Sequence, residues 1–104
     1  MKRSSATTVP TLLRFASEIG RLDGWGRMQE ISSGFAVVST LTVLSRSERV
    51  LLSFEISGER YKEIPAEVVC SERDADGYCV AELRFLDEVE KRRLARTLLE
   101  VLSR

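Results

Sequence analysis

The chain offers few side chains that could do chemistry, and it has no histidine. Without histidine, neither a Ser/His/Asp nor a Cys/His nucleophilic system can form, and the usual transition-metal ligand is missing. Acid–base catalysis would then need a carboxylate, Lys, Tyr or Cys with a shifted pKa. Glu30 lies beside a strand break and an apolar run, so a hydrolase hypothesis would depend on it alone. Glycine-rich phosphate-binding motifs are also missing, and we expect no enzyme activity.

The segment Glu30–Phe35 has the most informative polar pattern. An acidic residue is followed two positions later by Ser32, and Gly34 lies near the end of the segment. The hydroxyl and the exposed amides of such a bend can hydrogen-bond a phosphate or a base edge. The same residues also fit a glycine bulge that is capped by serines, with no ligand. Both interpretations stay open from the local sequence.

Two cysteines, Cys70 and Cys79, have a spacing that fits neither a Cys-x-x-Cys motif nor a zinc pattern. We expect both to be small, free thiols in the core, and a cross-strand disulfide in an oxidising compartment is the alternative. No apolar run approaches the ~20 residues of a membrane-spanning helix. No apolar stretch typical of a secretory signal follows the basic start of the chain. We therefore expect a cytoplasmic protein without membrane insertion.

Alternating apolar residues predict six short strands, and a change of period predicts one C-terminal helix. Asp87 is a good N-cap for that helix, and Glu90 three residues later completes a capping box. The fold class is therefore predicted as all-β with a C-terminal helix, in an antiparallel barrel or split barrel with the helix over one opening. The predicted strands are residues 11–19, 27–31, 35–43, 50–56, 64–70 and 79–85.

The length of 104 residues fits one domain. Residues 1–10 are polar and predict a flexible basic arm, and residues 11–104 form the single domain. Sixteen basic and sixteen acidic residues give no net charge, so the overall charge does not favour nucleic-acid binding. Residues 1–52 hold seven basic and four acidic residues, whereas residues 53–104 hold nine and twelve. A phosphate ligand or an acidic partner is thus expected on the first half.

Trp25 is the sequence's best candidate for a partner-binding residue. It has a glycine on each side and lies in residues 20–26, where three glycines and an aspartate predict a turn. An exposed tryptophan flanked by Arg21 and Arg27 has the composition of a protein-binding hot spot. The alternative is that the ring folds back over one end of the barrel. The same cluster could serve a small barrel that binds nucleic acid, which we rank below a protein partner.

The order of these features resembles that of PilZ domains, a family of small bacterial β-barrels that includes receptors for cyclic di-GMP. The shared features are a basic arm ending in Val9–Pro10, an Asp/Asn-x-Ser-x-x-Gly-like segment at Glu30–Phe35, and a strand ending in Ala81–Phe85 before a C-terminal helix. The resemblance implies a six-stranded PilZ-like barrel. It also implies a role in bacterial signalling, in motility or surface behaviour.

The ligand-binding arm of the family carries Arg-x-x-x-Arg just before the first strand. Counting back from Val9–Pro10, the second arginine falls on Thr8 and the first on Ser4, with Arg3 one residue away. In the family these arginines hold guanine and phosphate through forked hydrogen bonds and stacking, which threonine cannot provide. The arm of this chain therefore departs from the receptor pattern.

The second family motif also transfers only in part. Glu30 takes the place of Asp or Asn, and Ser32 takes the place of the serine. Phe35 stands where glycine is expected, with Gly34 one position early. A longer carboxylate and a phenyl ring would both crowd a ligand that lies close to the backbone.

The resemblance thus implies a non-catalytic adaptor for a protein partner, with weak or no binding of cyclic di-GMP and no required cofactor. The alternative is a true cyclic di-GMP receptor that uses Arg3, Glu30, Ser32 and Gly34. Such a receptor would also need a second arginine, and Arg14 and Arg21 are the nearby candidates.

Overall fold

The computed structural model describes residues 8–15 and 22–103, and this part of the chain contains six strands followed by one helix. The strands are short, and each except β5 has eight residues or fewer. In chain order the elements are β1 (Val9–Arg14), β2 (Gly24–Ile31), β3 (Phe35–Thr40), β4 (Arg49–Ile56), β5 (Glu59–Arg73), β6 (Cys79–Phe85) and α1 (Glu88–Leu102).

The six strands form a closed barrel in which every neighbouring pair is antiparallel. The strand order is β1-β2-β3-β6-β5-β4, and pairing of β1 with β4 closes the barrel. The predicted fold class, an antiparallel six-stranded barrel with a C-terminal helix, is confirmed. Closure leaves no free strand edge in this barrel, so a partner must contact its side chains or its connections.

Alternation along the strands places the apolar side chains inside the barrel. In β6 all four inward residues predicted from the sequence are buried, as are the first three predicted in β4. Threonines at two inward positions satisfy their hydroxyls on nearby backbone: Thr11 donates to the carbonyl of Val9 and Thr40 to that of Trp25. The buried residues of these two strands are Val50, Leu52, Phe54, Cys79, Ala81, Leu83 and Phe85.

The bounds of β6 match the prediction, and those of the other five strands differ from it. β2 begins three residues earlier than expected, at Gly24, β3 ends three residues earlier, at Thr40, and β4 begins one residue earlier, at Arg49. β1 begins at Val9, two residues before the expected start, and residues 16–19 of the expected strand lie outside the described residues. β5 runs from Glu59 to Arg73 and is more than twice as long as predicted. Pro65 lies inside β5, and its carbonyl accepts from Leu86 just beyond the end of β6. In an antiparallel pair an N–H at position 65 would donate back to the Leu86 carbonyl. Proline removes that one bond, at the place where the ladder between β5 and β6 ends.

The prediction that both cysteines are buried is wrong for Cys70. Cys79 is buried and Cys70 is exposed, and both are free thiols. The pairing of β5 with β6 shifts by one residue between Val68 and Cys70. A bulge of this kind adds one residue to one strand, which turns every later side chain to the opposite face. Cys70 therefore lies on the outer wall.

The helix covers one opening of the barrel. Leu94 belongs to the same buried cluster as the barrel interior, and a closed barrel exposes its interior only at its two openings. Asp87 caps the helix as predicted, since its side chain accepts from the backbone N–H groups of Val89 and Glu90. The side chain of Glu90 pairs with Arg93 at 2.8 Å.

In the described part of the chain, no helix combines the length and the apolar character that crossing a bilayer requires. Residues 8–15 and 22–103 also contain no cluster of three or more Cys, Asp or Glu side chains that could hold a metal ion.

Candidate functional site

The segment Glu30–Phe35 forms the hairpin between β2 and β3. The backbone N–H of Ser32 donates to the carbonyl oxygen of Phe35 at 2.8 Å. The Ser32 hydroxyl oxygen accepts from the backbone N–H groups of Gly34 at 3.3 Å and of Phe35 at 3.1 Å. Of the two interpretations of this segment, the geometry is that of a turn capped by serine. Because the hydroxyl oxygen already accepts two hydrogen bonds inside the turn, it has less capacity to accept one from a ligand.

Gly34 is not required by the fold of this hairpin. A Cβ atom at this position would meet no atom within 4 Å, and its φ angle is not positive. The space beside the turn is open. The assignment of Gly34 as a ligand-binding residue stays a prediction.

A shallow hollow of about 300 Å³ lies on the outer wall beside this hairpin, and its charged lining is acidic. Glu30 in β2 and Glu82 in β6 are both register neighbours of Val37 in β3, so the two carboxylates flank that valine. Of the described residues that line the hollow, none is basic. A phosphodiester placed there would be repelled by both carboxylates. The charge that the structure places here opposes an anionic ligand.

The arginines considered for the receptor alternative do not complete this hollow. Arg3 and Arg21 lie outside the described residues. Arg14 is exposed, but its Nη1 donates to Glu63 at 2.6 Å and its Nη2 to Asp23 at 3.2 Å. These contacts raise the pKa of Arg14, chiefly through the hydrogen bond with Asp23. Arg14, the last residue of β1, therefore links Asp23, just before β2, to Glu63 within β5.

Trp25 does not lie in a turn, as the sequence suggested, but in β2, where it pairs with Leu12 of β1. The glycines beside it have a steric role. A Cβ atom at Gly24 would lie 2.2 Å from the Thr42 hydroxyl oxygen, and one at Gly26 would lie 2.8 Å from the carbonyl oxygen of Ser39. The two glycines thus allow close contact between β2 and the strand and loop beside it, and the ring between them points outward. Its side chain is 67% exposed.

Two further large side chains lie near Trp25 on the outer wall. Leu41, directly after β3, is 69% exposed, and Tyr78, directly before β6, is 41% exposed. One groove of about 440 Å³ is lined by Trp25, Arg27, Leu41 and Tyr78. We call these four residues the Trp25 surface. Its other lining residues are Thr8, Pro10, Gly26, Gln29, Ser39 and Thr40.

Trp25 also borders a second groove, of about 550 Å³, which has a mixed charge. Arg14, Arg60 and Lys62 contribute positive charge to it, and Glu55 and Glu63 contribute negative charge. The pairing of Arg14 with Glu63 is described above, and Arg60 lies 3.9 Å from Glu55. Because its charges pair within the barrel wall, this groove has less unpaired charge to offer a partner.

Leu41 and Tyr78 were not predicted from the sequence as candidate binding residues. The alternation of side chains in β6 indicates that Tyr78 is exposed, because Cys79 is predicted to point inward and its neighbour must then point outward. Leu41 was placed in a continuous strand, residues 35–43, but β3 ends at Thr40. The spatial meeting of these residues with Trp25 comes from the strand order β2-β3-β6, which is not visible in the sequence.

Comparisons with known proteins support the fold. No protein-family model matches the chain, and no curated protein is similar to it in sequence. Among solved structures, that of the Bacillus subtilis Inhibitor of motility (MotI/DgrA) is similar, with a TM-score of 0.66 and 14% sequence identity. The match covers 94% of this chain and 48% of that one, so this chain spans about half the length of MotI/DgrA. The similarity shows that this chain has a PilZ-like fold, a closed barrel followed by a helix.

Proposed function

We propose that this domain is a non-catalytic adaptor in bacterial signalling that binds a protein partner through the Trp25 surface. The observation that carries this proposal is the exposure of three large side chains side by side on a closed barrel. Contiguous exposed apolar surface is unfavourable in a soluble domain unless a partner covers it. Tryptophan, tyrosine and arginine are also the residue types that dominate the binding energy of protein interfaces.

Weak or absent binding of cyclic di-GMP is the second part of the proposal. Thr8 replaces the second arginine of the family arm, and the Ser32 hydroxyl is engaged in its own turn. Glu30 and Glu82 line the hollow beside this turn, and their two negative charges would repel a phosphodiester there. Each lost hydrogen bond to a charged group costs about 1.5–3 kcal/mol, so even one loss weakens binding at least tenfold.

The absence of catalysis is proposed from the composition of the groove. Thr8 and Ser39 supply hydroxyl groups to its lining, but none of the described lining residues is a carboxylate or a cysteine. The chain has no histidine. Apart from the phenol of Tyr78, a hydroxyl nucleophile there would have no general base beside it among the described lining residues. We also propose a cytoplasmic location and a role in motility or surface behaviour. The name of the similar structure, an inhibitor of motility, supports the latter.

The test of this function is a pair of measurements on the folded protein. Titration calorimetry with cyclic di-GMP should show no submicromolar binding. Crosslinking in living cells through a photoreactive residue at Leu41 should give a specific adduct with a protein, and Trp25→Ala should abolish that adduct. Submicromolar binding of cyclic di-GMP would favour the receptor alternative. An adduct that is indifferent to Trp25→Ala would contradict binding through the Trp25 surface.

A further inference from the structure

We propose that the partner segment at the Trp25 surface is a peptide whose carboxylate is flanked by apolar side chains, with the carboxylate paired to Arg27. This inference rests on the proposed function and specifies its partner. Of the described residues lining the groove, Arg27 alone is charged. Within the described part of the chain it forms no ion pair and no side-chain hydrogen bond, in contrast with Arg14 nearby.

The groove combines this charge with apolar surface. Trp25 and Leu41 are each about two-thirds exposed, so they would lose the most water-accessible area on binding. Tyr78 adds an aromatic ring at the other side of the groove. Burial of such side chains supplies most of the binding free energy, whereas one charged pair decides orientation and specificity. A segment that combines apolar side chains with one acidic group is therefore complementary to the lining.

The backbone of the partner would be held by side chains, because the closed barrel has no free edge to which a strand could be added. Gln29 is suited to this task. It lies in the bulge of β2, between the paired residues Met28 and Glu30, and its side chain is exposed beside the groove. A carboxamide can both donate to and accept from a peptide group. The hydroxyls of Thr8 and Ser39 lie in the same lining.

A second copy of this chain is a poorer occupant. A two-fold contact centred on Trp25 would bring the Arg27 side chains of both copies together. Since the described lining supplies no carboxylate to pair with them, the contact would place like charges at the interface. A partner of opposite charge avoids this repulsion.

The experiment begins with a random twelve-residue peptide display library that is selected in parallel on the purified wild type and on Trp25→Ala. We expect enriched peptides to share an Asp or Glu within four residues of aromatic or large aliphatic side chains. One enriched peptide and its Asn or Gln analogue are then synthesised with a fluorophore, and their affinities are measured by anisotropy. The proteins compared are the wild type, Arg27→Gln and the control Arg46→Gln, whose arginine is exposed and does not line the groove.

Arg27→Gln should weaken the acidic peptide at least tenfold, and Arg46→Gln less than twofold. The neutral analogue should bind the wild type at least tenfold more weakly, but Arg27→Gln should not weaken it further. Trp25-dependent peptides without an acidic residue would overturn this inference and leave the proposed function standing. Peptides that are also enriched on Trp25→Ala would show that the Trp25 surface is not the binding site. That result would overturn the proposed function as well as this inference. A selection with no enriched peptide, or a dimer in sedimentation equilibrium that Trp25→Ala dissociates, would also overturn the inference.

Discussion

Trp25 points outward because alternation along β2 places it on the face opposite the buried Met28, and the glycines on either side allow neighbouring backbone to come close. Glycine at position 26 leaves room for the carbonyl oxygen of Ser39, and glycine at position 24 leaves room for Thr42. A turn and a close strand contact both favour glycine, and local sequence does not distinguish them. This is why the Gly-Trp-Gly stretch was interpreted as a turn, although the exposure of the ring was predicted as one of two alternatives.

Gly26→Ala should destabilise the domain, because its Cβ would lie 2.8 Å from a backbone oxygen that cannot move without disturbing β3. Overpacking of this kind costs about 1–3 kcal/mol, which corresponds to a melting temperature lowered by roughly 10 °C in a domain of this size. The melting temperature is measured by thermal unfolding, followed by circular dichroism. The control is Gly34→Ala, whose Cβ would meet no atom within 4 Å. Equal melting temperatures for the two variants would contradict the steric explanation.

The exposure of Trp25 can be checked without any partner, since it is the single tryptophan of the chain. At 67% exposure, its fluorescence should peak near that of indole in water, and iodide should quench it efficiently. Gly24 and Gly26 add no side chains that could shield the ring. A blue-shifted emission resistant to iodide would show that the ring is covered, and it would remove the basis of the Trp25 surface.

The two cysteines should differ in their reaction rates. Cys70 is exposed and Cys79 is buried, so a maleimide should modify one thiol rapidly in the native protein and the second after unfolding. Mass spectrometry after a short reaction should locate the label on Cys70. Cys70→Ser should remove the fast phase, whereas Cys79→Ser should retain it. Equal rates for both thiols would mean that the bulge in β5 is absent.

At the scale of elements, alternation predicts the strands well until a bulge intervenes. In β4 and β6 the inward positions were predicted correctly, from Val50 to Phe54 and from Cys79 to Phe85. In β5 the prediction holds through Val68 and then reverses, because the pairing shifts there. The residues at the shift are Val69 and Cys70, neither of which is a glycine that would mark a bulge. Bulges depend on pairing with the neighbouring strand, so a single strand's pattern does not reveal them.

The helix is held to the barrel by a polar contact as well as by Leu94. The Tyr61 hydroxyl lies 2.6 Å from the Thr97 hydroxyl and donates to the carbonyl of Arg93 at 3.3 Å. The Arg93 guanidinium stacks over the Tyr61 ring, with 4.2 Å between its carbon and the ring centroid. The pKa of Arg93 is raised, chiefly by a hydrogen bond to Glu59. Arg93 therefore keeps the positive charge of this contact at all physiological pH values.

Tyr61→Phe should therefore destabilise the domain by about 1–2 kcal/mol, because it removes the hydroxyl from a buried hydrogen-bonded pair. Urea unfolding at equilibrium would measure the change in the free energy of unfolding. Tyr78→Phe is the matched control, since the Tyr78 hydroxyl forms no hydrogen bond with the described residues, and it should change stability by less than about 0.5 kcal/mol. Similar losses in both variants would show that the contact of Tyr61 with α1 contributes nothing specific.

At the scale of the whole molecule, the barrel redistributes charge that the linear sequence keeps apart. The first half of the chain is the basic half, which predicted an anion site there. The strand order instead brings Glu82, from the acidic half, next to Glu30 across Val37. Local charge counts could not show this, because the meeting depends on β3 pairing with both β2 and β6. The candidate ligand hollow is consequently acidic in the described part of the chain.

Removing both negative charges of the hollow should strengthen the binding of cyclic di-GMP. In Glu30→Gln/Glu82→Gln combined with Thr8→Arg, two repulsive charges are removed and one forked donor is restored. Each charged hydrogen bond contributes about 1.5–3 kcal/mol, so the triple variant should bind at least tenfold more tightly than the wild type in calorimetry at moderate salt. Glu55→Gln/Glu72→Gln/Thr8→Arg is the matched control, because neither substituted glutamate lines the hollow. Equal affinity of the two triple variants would show that the acidic hollow does not determine the response, and unchanged weak binding in both would mean that the arm cannot present the introduced guanidinium to a ligand.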